Sequence, residues 1–162
     1  MLTLARLREL LAYDPETGVF TWRVNRGAKR AGDVAGNKNC VLGYVLIGID
    51  YRTYLAHRLA WLYMTGEWPA DEVDHWDLDG ANNRWVNLRE ATKGENGANR
   101  PAPANNTSGY KGVYWHARAG RWMAQIMKNQ RSLYLGLHDT REEAAAAYLA
   151  AASKEFGEFA RR

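Results

Sequence analysis

Residues 73–99 collect the groups in this chain best suited to chemistry: Asp74 directly before His75, then Asn82-Asn83-Arg84, Asn87-Leu88-Arg89, and Asn96 three positions before Asn99. One carboxylate, one imidazole and several amides in this series suit hydrolysis of a phosphodiester. Asp74 offers a hard oxygen to a divalent cation, and the side-chain carbonyl of Asn96 offers a second. His75, with an unperturbed pKa of about 6.5, can take a proton from water near neutral pH. A divalent ion would stabilise charge developing on the phosphate and on the leaving oxygen. A calcium-loop reading of Asp77-x-Asp79-Gly80 fails, because the first loop position would be His75 rather than Asp. Asp77 and Asp79 are expected to shape a turn.

These groups need a scaffold, and the local pattern suggests strand, loop, strand, helix. Glu72 to Asp74 reads as a short strand, and Asp77 to Arg84 as a polar turn rich in Asp, Gly and Asn. Trp85 to Arg89 reads as the second strand. Thr92-x-x-Glu95 has the form of a capping box, opening a helix that Pro101 keeps short. Ahead of this lie an amphipathic helix over residues 3–12, a turn at Asp14-Pro15-Glu16-Thr17-Gly18 and a strand over Val19 to Arg23. Residues 43–49 and 51–55 pair across Asp50, and Ala56 to Thr65 forms a helix ended by Gly66. His57 and Arg58 open that helix. His57 reads as structural before functional, and Arg58 as support for the site or for a phosphate.

The Asp74-His75, Asn82-Asn83-Arg84, Asn87-Leu88-Arg89 and Asn96-x-x-Asn99 series resembles the HNH endonucleases of the phage and intron-encoded homing type. That resemblance implies His75 as general base, Asp74 and Asn96 as metal ligands, and Asn87 as the residue that orients the base or its loop. Asn83, Arg84, Asn99 and Arg58 are candidates for support. Many relatives carry His where this chain has Asn96, and the His-Asn-Asn variant is itself known in the family. A neutral amide ligand favours Mg²⁺ or Mn²⁺ over zinc or nickel.

Bulk composition narrows the classes. The chain has 162 residues, 46% of them apolar, enough for one domain or two small ones. No run of 18 apolar residues suggests a membrane span, and the N-terminus lacks the apolar core of a secretory signal. The single cysteine, Cys40, excludes an intramolecular disulfide and a cysteine-rich zinc site, and fits the reducing cytoplasm of a bacterium or a phage-infected host. The net charge of +4 is uneven: residues 1–93 hold 12 basic and 12 acidic side chains, residues 94–162 hold 10 and 6. Between 105 and 135 the basic residues Lys111, Arg118, Arg121, Lys128 and Arg131 have no acidic neighbour in sequence. A basic surface interleaved with aromatics points to nucleic acid. The basic, glycine-bearing stretch 25–39 is expected either to touch phosphates or to be plainly solvated.

Residues 97–108 have a linker composition, small, polar and proline-bearing. Beyond them Tyr110 to His116, Arg121 to Lys128 and Arg131 to Leu137 alternate like three strands, with turns at Ala119-Gly120 and Asn129-Gln130. An alanine-rich helix follows Asp139-Thr140. This region, about 106–160, resembles an Apetala-2-type DNA-binding domain through Gly112-Val113, Gly120-Arg121-Trp122-x-Ala124-x-Ile126, Leu135-Gly136 and Asp139-Thr140-x-Glu142-Glu143-Ala144-Ala145-x-Ala147-Tyr148. Such domains lay a three-stranded sheet in the major groove. Period-two alternation puts Trp122, Ala124, Ile126, Leu133 and Leu135 toward the helix, with Trp115 also in the core. Arg121, Met123, Gln125, Met127, Ser132, Tyr134, Tyr114 and His116 then face outward. Arg121 and Gln125 have groups that reach base edges; Lys111, Arg118, Lys128 and Arg131 suit phosphates.

The expected fold class is α+β. A ββα-metal HNH nuclease domain with an N-terminal helix and strands occupies 1–99, its catalytic motif 72–99. A linker covers 100–108. An Apetala-2-type domain, a three-stranded antiparallel sheet packed on one helix, covers 109–162. The expected activity is a metal-dependent, site-preferring endonuclease acting on double-stranded DNA, with Mg²⁺ or Mn²⁺, nicking one strand per active site as a monomer or weak dimer and without a membrane. The rival reading is a non-catalytic DNA-binding regulator that retains the HNH fold.

Overall fold

A computed structural model describes residues 1–41, 43–103, 105–129 and 131–160 of the chain. Its contacts divide it into two compact units, Met1–Ala91 and Thr92–Arg162.

The first unit begins with α1 (Leu4–Leu10), capped where Thr3 Oγ1 accepts from the Arg6 N–H at 3.2 Å. The helix is shorter than its leucine spacing suggests, because Leu11 is already extended (φ −130°) and opens the next strand. β1 (Leu11–Asp14) and β2 (Val19–Trp22) form a hairpin with Leu11 opposite Trp22 and Asp14 opposite Val19. Asp14 holds the connecting turn, its carboxylate accepting from the Glu16 N–H at 2.9 Å and the Thr17 hydroxyl at 2.7 Å. β3 (Asn37–Lys38), β4 (Val45–Ile49) and β5 (Arg52–Leu55) make a second antiparallel sheet in that order. Asp50 and Tyr51 close β4 to β5, both left-handed at φ 46° and 63°, the conformation a two-residue hairpin turn requires.

α2 (Ala56–Thr65) ends at Gly66, whose φ of 88° lets its N–H return to the Leu62 carbonyl. Its apolar face supplies Ala56, Leu59, Ala60 and Leu62 to one core with Leu7, Leu11, Phe20, Ile47 and Ile49. β6 (Glu72–His75) and β7 (Leu88–Ala91) pair antiparallel, with Asp74 opposite Arg89 and His75 opposite Leu88. Val73 and Leu88 enter the core, so this hairpin is anchored beneath its polar end. The strand expected from Trp85 starts later. Trp85–Asn87 is a 3-10 turn, held there by the side-chain bonds of Asn87 described below.

The second unit opens with α3 (Lys93–Asn99). Thr92 and Glu95 form the expected capping box, the Thr92 N–H donating to Glu95 Oε2 at 2.8 Å. β8 (Val113–His116), β9 (Arg121–Lys128) and β10 (Arg131–His138) form an antiparallel sheet ordered β10-β9-β8. β8 starts at Val113 rather than Tyr110, because Gly109 and Gly112 are left-handed, at φ 79° and 70°. A Cβ at Gly112 would lie 2.3 Å from the Tyr148 ring and 2.5 Å from the Gln125 carbonyl oxygen, so only glycine fits there.

α4 (Arg141–Phe156) starts on a second capping box, Thr140 with Glu143. Its Ala144 and Ala145 cluster with Val113 and Ala124, and its Tyr148 and Ala152 with Ile126. Leu135 joins both clusters, at a bulge between Tyr134 and Gly136. Two expectations change here. Alternation places Trp115 and Leu133 in the core, but they are 51% and 46% exposed. Their partners Trp122 and Ile126 share the inner face, yet the clusters formed with α4 do not reach these two positions.

The unit boundary at Ala91 and Thr92 differs from a division after Asn99, because α3 packs with α4 and the 3-10 turn Gly157–Phe159. Ala104 of the 100–108 stretch, Gln130 of the Asn129-Gln130 turn, and Arg161 and Arg162 lie outside the described residues. Among the described residues no helix is long and apolar enough to cross a membrane.

Candidate active site

Asp74 sits on β6 with only 4% of its surface exposed. Burying a carboxylate without compensation is costly. Here Arg89, directly across on β7, compensates: its Nε and Nη2 each lie 2.9 Å from Asp74 Oδ2. Arg89 is itself held from above by the Trp76 ring, 4.4 Å from its guanidinium carbon. Arg89 had no assigned role at the level of sequence. The signal was present in the hairpin register, since antiparallel pairing places Asp74 and Arg89 side by side.

His75 is the next residue, also 4% exposed. Its Nε2 lies 3.2 Å from Asn83 Oδ1. The Asn83 amide nitrogen donates to the Ala81 carbonyl at 3.2 Å, which turns Oδ1 toward the imidazole. An amide oxygen only accepts, so Nε2 must carry the proton and Nδ1 carries the lone pair. Burial lowers the pKa of His75 below its ordinary value, outweighing the hydrogen bond to Asn83 and the nearby Asp77, Asp74 and Asp79 charges that would raise it. The imidazole is therefore neutral at pH 7 and has its basic nitrogen assigned.

Asn83 is 2% exposed and is built in from the first hairpin. The Tyr13 hydroxyl donates to the Asn83 carbonyl at 2.7 Å, and the Trp85 N–H donates to the Pro15 carbonyl at 2.9 Å. Gly18, at φ 75°, lies so close that a Cβ there would sit 2.4 Å from the Asn83 carbonyl carbon and the Arg84 nitrogen. The turn between β1 and β2 is thus a seat for the loop that orients His75.

Asn87 does not hydrogen-bond His75. Its Oδ1 accepts from the Asp77 N–H at 3.1 Å, and its Nδ2 donates to Asp77 Oδ1 at 2.9 Å and the Asn82 carbonyl at 2.8 Å. The side chain hydrogen-bonded to His75 is Asn83, while Asn87 is turned into the loop over residues 77–82. Asp77 is the other hub of that loop. Burial would raise its pKa, but donation from the Asn82 and Asn87 side chains and the Asp79 N–H leaves it below the ordinary carboxylate range.

A second imidazole stands beside the first. The His57 and His75 ring centres are 4.9 Å apart and nearly perpendicular, with Tyr44 at 5.1 Å from His57 and 5.8 Å from His75. His57 Nδ1 is buried without a hydrogen-bond partner. Burial, with repulsion from His75 and Arg58, lowers the pKa of His57 to about 3. Arg58 points elsewhere, donating to the Asp71 carbonyl at 2.7 Å. Arg84 is exposed. Asn96 and Asn99 lie on α3 in the second unit, Asn96 half-buried and Asn99 buried.

In the second unit the register supports the expected outer face. Tyr114 pairs with Met123, His116 with Arg121, Tyr134 with Gln125 and Ser132 with Met127. Ser132 donates to Gln125 Oε1 at 2.8 Å on that face, and His116 Nδ1 accepts from the Ala119 N–H at 3.1 Å, fixing the following turn. Arg118 and Arg131 are exposed. Arg121 forms an ion pair with Asp139, Nε to Oδ1 2.9 Å, and Lys128 pairs with Glu155. Lys111 departs from its expected phosphate role. Its ammonium donates to the carbonyls of Gly97, Ala98 and Arg100.

Comparison with known proteins matches two families along the chain. The HNH endonuclease family matches residues 54–98, and the AP2 domain family matches residues 108–158. The APETALA2-like protein 2 of Oryza sativa subsp. indica is 42% identical over 55 residues, 34% of this chain and 13% of that protein. An AP2-like ethylene-responsive transcription factor of Arabidopsis thaliana is 42% identical over 55 residues, 34% of this chain and 11% of its own length. The chain thus spans only about an eighth of the length of these relatives. An HNH endonuclease domain followed by an AP2 domain is the architecture of this chain.

Proposed function

We propose that the chain is a DNA endonuclease that hydrolyses phosphodiester bonds with the help of a divalent ion. What carries the reading is a buried neutral imidazole, His75, with Nε2 tied to Asn83, in sequence directly after the buried carboxylate of Asp74. A scaffold has no need of that arrangement.

In this reading Asp74 and Asn96 are the metal ligands that the resemblance to the HNH endonucleases assigns. Among the described residues no three His, Cys, Asp or Glu side chains gather as a cage. A Mg²⁺ or Mn²⁺ ion fits such a sparse, all-oxygen donor set, since it keeps several waters and is completed by substrate phosphate. When bound, the ion would stabilise the charge that develops on the phosphate and the leaving oxygen. His75 Nδ1 takes a proton from water, and the resulting hydroxide oxygen bonds to phosphorus. The bond from phosphorus to the 3′ oxygen breaks, and that oxygen takes a proton from solvent. The ends are a 5′-phosphate and a 3′-hydroxyl. Asn83 keeps Nε2 protonated through the cycle, and Asn87 with Asp77 keeps the loop in place. The outer face of the AP2 sheet holds duplex DNA. One site cuts one strand, so a single chain nicks.

A second reading is favoured by one observation. Arg89 already neutralises Asp74, so the buried pair is satisfied without a metal, as a DNA-binding regulator with an idle HNH fold would require. Separation of function decides between them. Under the nuclease reading His75→Ala abolishes cleavage of a plasmid substrate while its DNA affinity stays within about twofold of wild type, because no phosphate contact is removed. Loss of cleavage and binding in parallel would rule out His75 as the base.

A further inference from the structure

Lys111 precedes the first strand of the DNA-binding sheet, yet its ammonium closes the far end of α3. It donates to the carbonyl oxygens of Gly97 at 2.8 Å, Ala98 at 2.7 Å and Arg100 at 2.6 Å. Three acceptors match the three donors of an ammonium. The last carbonyls of a helix lack intrahelical partners and carry the negative end of its dipole, so a lysine there answers both needs.

α3 depends on such help. It has seven residues, two of them glycine, and no basic residue in its own last turn. Helices this short do not persist on propensity alone. Its start is closed by Thr92 and Glu95, and a Cβ at Gly94 would lie 3.6 Å from the Phe156 ring near the end of α4. Lys111 supplies the missing closure at the other end, from a residue 11 to 14 positions further along the chain.

We propose that Lys111 is a positioning residue: it locks α3, the helix carrying Asn96, into one body with the sheet that holds DNA. The functional half of this rests on the nuclease reading; the lock itself does not. A lysine that sequence assigns to a DNA phosphate thus acts inside the protein, and the stretch after Asn99 is tied down at the helix end.

The test uses the full-length chain with Lys111→Met, which keeps the aliphatic stem, and Lys111→Arg, which keeps donors for the carbonyls. Three quantities are measured: hydrogen exchange of the α3 amides, DNA affinity as a function of salt, and kcat and KM for cleavage. Lys111→Met is expected to speed α3 exchange at least about tenfold and to lower kcat about tenfold, as loss of support behind a metal ligand does. DNA affinity, its salt slope and KM stay at wild-type values, and Lys111→Arg restores both exchange and kcat. Unchanged exchange with a salt slope reduced by about one would show a phosphate contact and overturn the proposal. Faster exchange with unchanged kcat would overturn the positioning role. A wild-type chain that cuts no DNA would contradict the nuclease reading, and the exchange and binding measurements would still decide the lock.

Discussion

At His75 one hydrogen bond decides which nitrogen is basic, and that bond comes from Asn83. Replacing Asn83 with Asp keeps an acceptor on Nε2–H, whereas Asn83→Leu leaves the buried ring nitrogen unpaired. Cleavage by Asn83→Asp should stay within about tenfold of wild type and cleavage by Asn83→Leu should fall about a hundredfold, the range seen when a supporting partner is lost. Single-turnover rates check this. Arg89 gives a stability prediction. Arg89→Met strands a buried carboxylate and should cost about 3–5 kcal/mol at pH 7, measured by denaturant unfolding. Adding Asp74→Asn should recover much of the loss, because the uncompensated charge is gone. His57 gives the pH dependence. Its folded pKa of about 3 lies below the unfolded value, so the unfolded chain binds the extra proton between those values. Stability therefore falls as pH drops below about 6.5, by about 1.4 kcal/mol per unit from this residue. His57→Phe should flatten that acid limb in thermal melts between pH 4 and 7.

At the scale of elements, the hairpin of β1 and β2 matters because its turn seats the loop of Asn83. Tyr13→Phe removes one buried hydrogen bond and should cost about 1 kcal/mol. Gly18→Ala should cost more and slow cleavage as well, since the added methyl meets backbone atoms at 2.4 Å and the φ is left-handed. Melting temperature and cleavage rate of the two variants check the order. Legibility from sequence divides at this same scale. α2 was readable residue for residue, because its leucine and alanine spacing and its terminal glycine act within a few positions. So were both capping boxes. The seat of Asn83 was not readable, because Tyr13 reaches it across 70 residues and no local pattern encodes that contact. The Asn87 turn has the local pattern of a strand, because its conformation comes from side-chain bonds to Asp77 and to the Asn82 carbonyl. Outward positions on β9 followed from alternation alone, whereas the exposure of Trp115 and Leu133 depends on how far the α4 clusters extend.

At the scale of the molecule, charge and family architecture support the DNA partner of the proposed function. Arg118 and Arg131 are exposed cations beside the outward sheet face, and Arg121 and Lys128 sit in surface ion pairs worth about 1 kcal/mol or less, which phosphates can replace at small cost. Each of Arg118→Ala and Arg131→Ala should weaken binding across all sequences and lower the salt slope by about one, while Gln125→Ala should change site preference more than overall affinity. Titrations at several salt concentrations on matched and random duplexes separate the two effects. The central claim is that the HNH unit is chemically competent, and a supercoiled plasmid incubated with the wild-type chain in Mg²⁺, Mn²⁺ or EDTA tests it most directly. Nicked circles that appear with either metal and vanish with EDTA are the predicted result. Intact supercoiled DNA under every condition, at protein concentrations that saturate binding, would contradict it.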